Sequence, residues 1–128
     1  MPAELSLSSI AHVRVNTHDL ERSTAFYRDV LKMPFLFDFP GFAIFDCQGT
    51  RIILATPEYP EEDHPSSVIA FRVDNIHEAC RVLHERGVEF LGKPKIAFIL
   101  PEFDLWLCRF YDPDKNILAL RSDVKRKS

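Results

Sequence analysis

His12 is the candidate for proton chemistry in this sequence. It sits in the run Ile10-Ala11-His12-Val13-Arg14-Val15-Asn16, where polar and apolar residues alternate. On a strand that alternation sends His12, Arg14 and Asn16 to one face and Val13 and Val15 to the other. An imidazole on a cleft face can act as general acid or base or ligate a metal, and it also occurs as an ordinary hydrogen-bonded strand residue. Its neighbours decide between these roles. The guanidinium of Arg14 supplies planar donors suited to a carboxylate or phosphate. The three cysteines, Cys47, Cys80 and Cys108, form no CxxC or other metal-like spacing, and their odd number suits a reducing compartment. Cys80 falls on the apolar stripe of a predicted helix and reads as a small buried hydrophobe.

Those residues need elements to position them, and the chain supplies them twice, from Ile10 to Pro57 and from Val68 to Asp123. Each half opens with a strand ending in an Arg-Val pair (Val13-Arg14-Val15, then Phe71-Arg72-Val73), followed by an acid-rich cap and an amphipathic helix. Asp19 caps a helix predicted to run to about Leu31, stopped by Met33-Pro34. Phe35-Leu36-Phe37-Asp38-Phe39 places three phenylalanines on one face of a strand, and turns at Pro40-Gly41 and Gln48-Gly49 lead into strands 42–46 and 51–55. In the second half, a strand over 68–73 precedes Asp74 or Asn75 as cap. A helix carrying Ile76, Ala79, Cys80 and Leu83 then ends at Gly87. Strands follow over 88–91, 96–100, 105–111 and 117–121, the last two joined through Asp112-Pro113-Asp114. The reading is an α+β fold of two βαβββ modules, module 1 at about 8–57 and module 2 at about 67–123. A surface linker at 58–66 joins them and a tail at 124–128 follows, within one domain of 1–128.

With 16 Lys and Arg against 19 Asp and Glu, the net charge is -3, and no basic stripe marks a nucleic-acid binder. Lys125-Arg126-Lys127 reads as a solvated tail. No apolar run approaches the roughly 20 residues of a membrane span, and no basic region followed by an apolar one opens the chain, so a soluble, cytoplasmic protein is expected.

Ile10-Ala11-His12-Val13-Arg14-Val15, Asp19-Leu20-Glu21-Arg22-Ser23, Phe26-Tyr27-Arg28-Asp29-Val30-Leu31, Phe71-Arg72-Val73-Asp74 and Tyr111-Asp112-Pro113-Asp114 together resemble the vicinal oxygen chelate superfamily. That superfamily includes glyoxalase I, extradiol dioxygenases, methylmalonyl-CoA epimerase and the fosfomycin and bleomycin resistance proteins. The resemblance spans nearly the whole chain; Lys115 stands where the family usually has glycine. It implies a curved mixed sheet around a cleft and a homodimer, since paired modules often complete the cleft from two subunits. Metal-dependent members hold a divalent ion with two side chains from each module. Those positions fall here on His12, Ile53, Val68 and Ala119, leaving one donor of four. One imidazole beside three apolar walls cannot hold an ion, so no metal or other cofactor is expected. The alternative is an unusual site for zinc, nickel, manganese or iron that adds His64 or Glu58 from the linker to His12.

Parity anchored on the ligand-equivalent positions puts Arg51 with Ile53, Arg72 with Val68, and Arg121 with Ala119 on the cleft side, joining Arg14. Four arginines on one face suggest an anionic ligand, unless they reach solvent or pair with the surplus acids. Phe35, Phe37, Phe39, Phe42, Phe98, Phe103 and Trp106 flank the implied cleft and offer stacking surface. The candidate site is therefore His12 as the acid or base, with Arg14, Asn16, Arg51, Ile53, Val68, Arg72, Trp106, Ala119 and Arg121 contacting a small anionic or aromatic molecule. The expected function is sequestration in the manner of the bleomycin-resistance branch. The alternatives are a metal-dependent lyase, isomerase or dioxygenase using His12, and a non-catalytic interaction module whose cleft is self-filled.

Overall fold

The computed structural model describes residues 5–126. Its elements run β1 (His12–Asn16), α1 (Leu20–Ala25) continuing into a π-helical turn (Phe26–Val30), β2 (Phe35–Phe39), β3 (Phe42–Cys47) and β4 (Thr50–Ala55). After a 3-10 turn at Pro60–Glu62 come β5 (Ile69–Arg72), α2 (Ile76–Glu85), β6 (Lys95–Ile99), β7 (Phe103–Tyr111) and β8 (Ile117–Lys125). This is βαβββ twice. The eight strands form two sheets of four, ordered β1-β4-β3-β2 and β5-β8-β7-β6. In each sheet the first strand lies parallel to the last because the intervening helix carries the chain back across the sheet.

Local chemistry sets the helix boundaries. The Asp19 carboxylate accepts from the Arg22 amide at 3.1 Å, and the Asn75 side chain accepts from the Glu78 amide at 3.1 Å. Between the two predicted caps for α2, the structure selects Asn75. The first helix reaches Val30 as predicted in length, but its last turn widens, with the Leu31 amide bonding back to the Phe26 carbonyl. Gly87 takes φ +87° just past α2, the left-handed conformation that an L side chain resists.

Both sheets turn one face to a shared core. Val15, Tyr27, Phe45 and Leu54 of the first half and Phe110 and Leu118 of the second are all at most 1 % exposed. A buried polar seam joins the halves beside this core. Tyr27 Oη donates to Asp112 Oδ2 at 2.8 Å, and Asp112 Oδ1 accepts from the amides of Asp114 and Asn116. Asn116 Nδ2 donates to Asp112 Oδ2 and to the Asn16 carbonyl, both at 2.9 Å, while Asn116 Oδ1 accepts from the Ser66 amide. The Asp112 side chain is thus buried with both oxygens hydrogen-bonded, the condition under which such burial is tolerated. Burial, reinforced by Asp112, pushes the Tyr27 phenol well above the usual tyrosine range.

Four expectations need correction. Residues 88–91 contribute only an isolated bridge, Phe90 to Phe110, instead of a strand. The three phenylalanines of β2 do not share a face, because a bulge between Phe35 and Phe37 resets the alternation. Phe35 therefore packs inward against Phe45, ring centres 5.3 Å apart, and only Phe37 and Phe39 face outward. Val68 precedes β5 instead of opening it. Finally, Arg126 is no free tail residue: its guanidinium bonds Asp104 and the Leu100 and Pro101 carbonyls, bracing the β6–β7 turn. Lys127, the last of the predicted basic run, lies outside the described residues.

Candidate functional site

Each sheet has a second face that no helix of the described chain covers. On the first sheet the register aligns His12 with Arg51, Arg14 with Ile53, and Ile53 with Ile44, and continues to Phe37. The same register aligns Asn16 with Ala55, then Phe42 and Phe39. One end of this face is an aromatic shelf. Phe37 and Phe39 are nearly half exposed (48 % and 47 %), their rings stacked at 6.1 Å and 23°, and Phe39 lies 5.0 Å from Phe42. The other end is polar: Arg14, His12, and Arg51 opposite Asp46.

The second sheet places Ala70, Arg72, Ala119, Arg121 and Arg109 on its bare face by the same reasoning. Arg121 Nε donates to Asp123 at 2.8 Å and Arg72 reaches the same carboxylate at 3.9 Å. The hydrogen bond from Arg121 holds the Asp123 carboxyl below its ordinary range. Beyond Ala119, a hollow of about 440 Å³ opens between Val68, Tyr111 and Ile117, with Lys115 on its rim. The Lys115 ammonium lies 4.6 Å from the Tyr111 ring centre and 2.7 Å from Glu89. A further cavity of about 370 Å³, lined by Leu31, Phe71 and Val82 among other apolar groups, lies on the core side and contains none of the candidate residues.

The structure therefore distributes the predicted site between two faces. His12, Arg14, Asn16, Arg51 and Ile53 share the first; Val68, Arg72, Ala119 and Arg121 belong to the second. The four arginines do not converge on one surface. Trp106 belongs to neither, since it alternates with Cys108 and Phe110 on the inner face and packs edge-on against His77 of α2 at 5.0 Å. Asn16 is committed elsewhere, its carboxamide nitrogen donating to the carbonyls of Glu62 at 2.5 Å and His64 at 2.9 Å. Arg14 donates to the Thr56 carbonyl at 2.8 Å and stands 3.8 Å from Glu62. The linker thus folds down over this end of β1, a contact made across some 40 to 50 residues of sequence. Sequence reading missed Glu62; its only signal was an acid in a Pro-rich stretch.

The donor set tests whether a divalent ion fits. Ile53, Val68 and Ala119 offer no lone pair beside His12, and among the described residues no three His, Cys, Asp or Glu side chains come together as ligands. The residues present do not fit the family's metal.

Two solved structures and one further sequence are similar to this chain. A solved glyoxalase/bleomycin resistance/dioxygenase superfamily protein from Sphaerobacter thermophilus superposes with a TM-score of 0.75 at 26% identity, covering 92% of this chain and 99% of its own. The antibiotic-binding protein TnmS3 from a Streptomyces species superposes with a TM-score of 0.75 at 25% identity, covering 94% of this chain and 99% of its own. The uncharacterized protein YraH of Bacillus subtilis is 26% identical over 125 residues, 87% of this chain and 95% of YraH. The family model for the glyoxalase/bleomycin resistance protein/dioxygenase superfamily matches residues 9–120, and the chain belongs to that superfamily.

Proposed function

We propose that this protein is a binding member of its superfamily, holding a small molecule with an aromatic body between bare sheet faces brought together in a homodimer, without metal. The observation that carries the reading is the pair of uncovered faces. Because both inner faces are committed to one core, the bare faces cannot close on each other within a single chain, and a second copy is the simplest complement. The exposed shelf of Phe37, Phe39 and Phe42 favours a flat apolar ligand. Three apolar residues at the ligand-equivalent positions favour sequestration over metal-assisted chemistry. The similarity to a protein described as antibiotic-binding supports the same reading. Free thiols at Cys47, Cys80 and Cys108 fit a reducing, cytoplasmic setting. Among the described residues no helix is long and apolar enough to cross a membrane.

A thermal-shift screen of planar aromatic compounds, run beside sedimentation analysis, tests this. The expected result is a dimer whose melting temperature rises with a subset of the compounds. A monomer that no aromatic compound stabilises contradicts it.

A further inference from the structure

The ion pair between Arg14 and Glu62 is incomplete in a way that points to a ligand. Arg14 Nε and Glu62 Oε1 are both shut off from solvent, and neither has a hydrogen-bond partner. The guanidinium reaches the carboxylate only through its terminal nitrogen at 3.8 Å, beyond hydrogen-bond range. Arg14 also spends that nitrogen on the Thr56 carbonyl at 2.8 Å. A fully made arginine-carboxylate pair uses two parallel N–H donors on two oxygens. Here Arg14 Nε and Glu62 Oε1 face inward and unpaired while the rest of the two side chains, 29 % and 42 % exposed, stays in reach of solvent, an arrangement in which the fork of the guanidinium is left unfilled.

The linker holds it. Asn16 grips the carbonyls of Glu62 and His64, the Ser66 hydroxyl accepts from the Asn16 amide at 3.2 Å, and His18 lies 3.0 Å from Asp63. These contacts fix the linker backbone beside β1 without needing the Glu62 side chain. That side chain is therefore free to leave while the strap stays in place.

We infer that Glu62 is a tethered stand-in for the anionic group of the ligand: a carboxylate or similar oxyanion displaces it from Arg14, taking the bidentate position that Glu62 fails to fill. This deepens the binding reading proposed above and rests on it. Arg14 and the aromatic shelf lie on one face of the first sheet, and Glu62 reaches that face from the linker turn, so the ligand class is an aromatic acid, its ring toward Phe37 and Phe39 and its oxyanion toward Arg14. Glu62 then acts as a specificity filter, since a neutral ring gains nothing by displacing it.

Two fluorescent probes of similar shape and different charge test this: 8-anilinonaphthalene-1-sulfonate and neutral N-phenyl-1-naphthylamine, titrated into the full-length protein. Glu62→Gln and Glu62→Ala each tighten the sulfonate by about five- to tenfold, because the competing charge is gone, and leave the neutral probe unchanged. Arg14→Gln in the Glu62→Gln background abolishes the gain. Arg14→Lys, a milder change that keeps the charge and loses the planar fork, retains only part of it. If Glu62 variants bind both probes as the wild type does, or if the gain survives Arg14→Gln, the inference is overturned while the binding reading stands. If neither probe binds any form of the protein, both fall.

Discussion

The seam between the two modules and the bare faces of their sheets have opposite characters. The seam is polar yet buried: Asp112 and Asn116 are 3 % and 2 % exposed, and their side-chain oxygens and amides are spent on Tyr27, Asn16, Ser66 and the local turn. The first bare face is apolar at its aromatic end yet open to solvent, and at its other end a partly exposed ion pair is left half made, with one inward atom of each partner unsatisfied. Burial with satisfaction marks residues that serve stability, because removing either partner strands a desolvated group. Exposure of stacked aromatic rings, and desolvation without satisfaction, mark residues whose partner is a different molecule. On this view the two regions should separate in mutagenesis, the seam changing stability without affinity and the face changing affinity without much stability.

The largest effect is expected at Asn116→Ala, which removes three hydrogen bonds that tie both modules and the linker together. A loss of about 2–4 kcal/mol in urea unfolding is predicted, with little change in affinity for any ligand the folded fraction binds. Tyr27→Phe removes one bond to the buried Asp112 carboxylate and should cost about 1–2 kcal/mol by the same measurement. Equal losses from the two substitutions would break the picture of Asn116 as the hub. On the bare face, Phe39→Ala should leave stability within about 0.5–1 kcal/mol and weaken an aromatic ligand about tenfold in a binding titration. If instead it unfolds the protein, the shelf belongs to the core.

The smallest predicted effect is a pH dependence at Asp114. Burial alone would raise this carboxyl, but Thr17, the His18 amide at 2.9 Å, the Ser23 hydroxyl at 2.7 Å and Arg22 at 3.3 Å together hold it below the ordinary carboxylate range. A depressed folded value means that its stabilisation is present above the unfolded value of about 4 and fades as pH falls through the folded one. Thermal unfolding followed downward from pH 5 should therefore show a loss that Asp114→Asn removes. An identical slope in both proteins would assign the acid sensitivity elsewhere.

Much of the fold was legible because its signals are local. The Asp19 cap, the stop at Gly87, the alternation along β1 and the repeat of strand, helix and strands each follow from a few adjacent residues. Where two locals competed, the structure decided. The β2 bulge breaks the alternation of three phenylalanines, and residues 88–91 form no strand because their pairing with β7 is limited to one bridge, Phe90 to Phe110, held by the Glu89 carbonyl and the Leu91 amide on either side. Trp106 was assigned to the cleft by proximity to it, while strand parity with Cys108 and Phe110 places it inward. The seam was half visible: Asp112-Pro113-Asp114 read as a turn, but the reach of Asn116 to a residue 100 positions away has no sequence signature. The same holds for Glu62 against Arg14. Division of the four arginines between two sheets was also hidden, since parity fixes which side of a strand a residue takes and says nothing about which sheet the strand joins.

Whether the bare faces bind a ligand without a metal is decided by titrating an aromatic compound selected in the thermal-shift screen into protein stripped with a strong chelator, and into the same protein reloaded with zinc, nickel, manganese or iron. The same affinity is expected in every preparation, with no stoichiometric metal retained by the wild type or by His12→Ala. Binding that disappears on stripping and returns with one of the metals, dependent on His12, would contradict it.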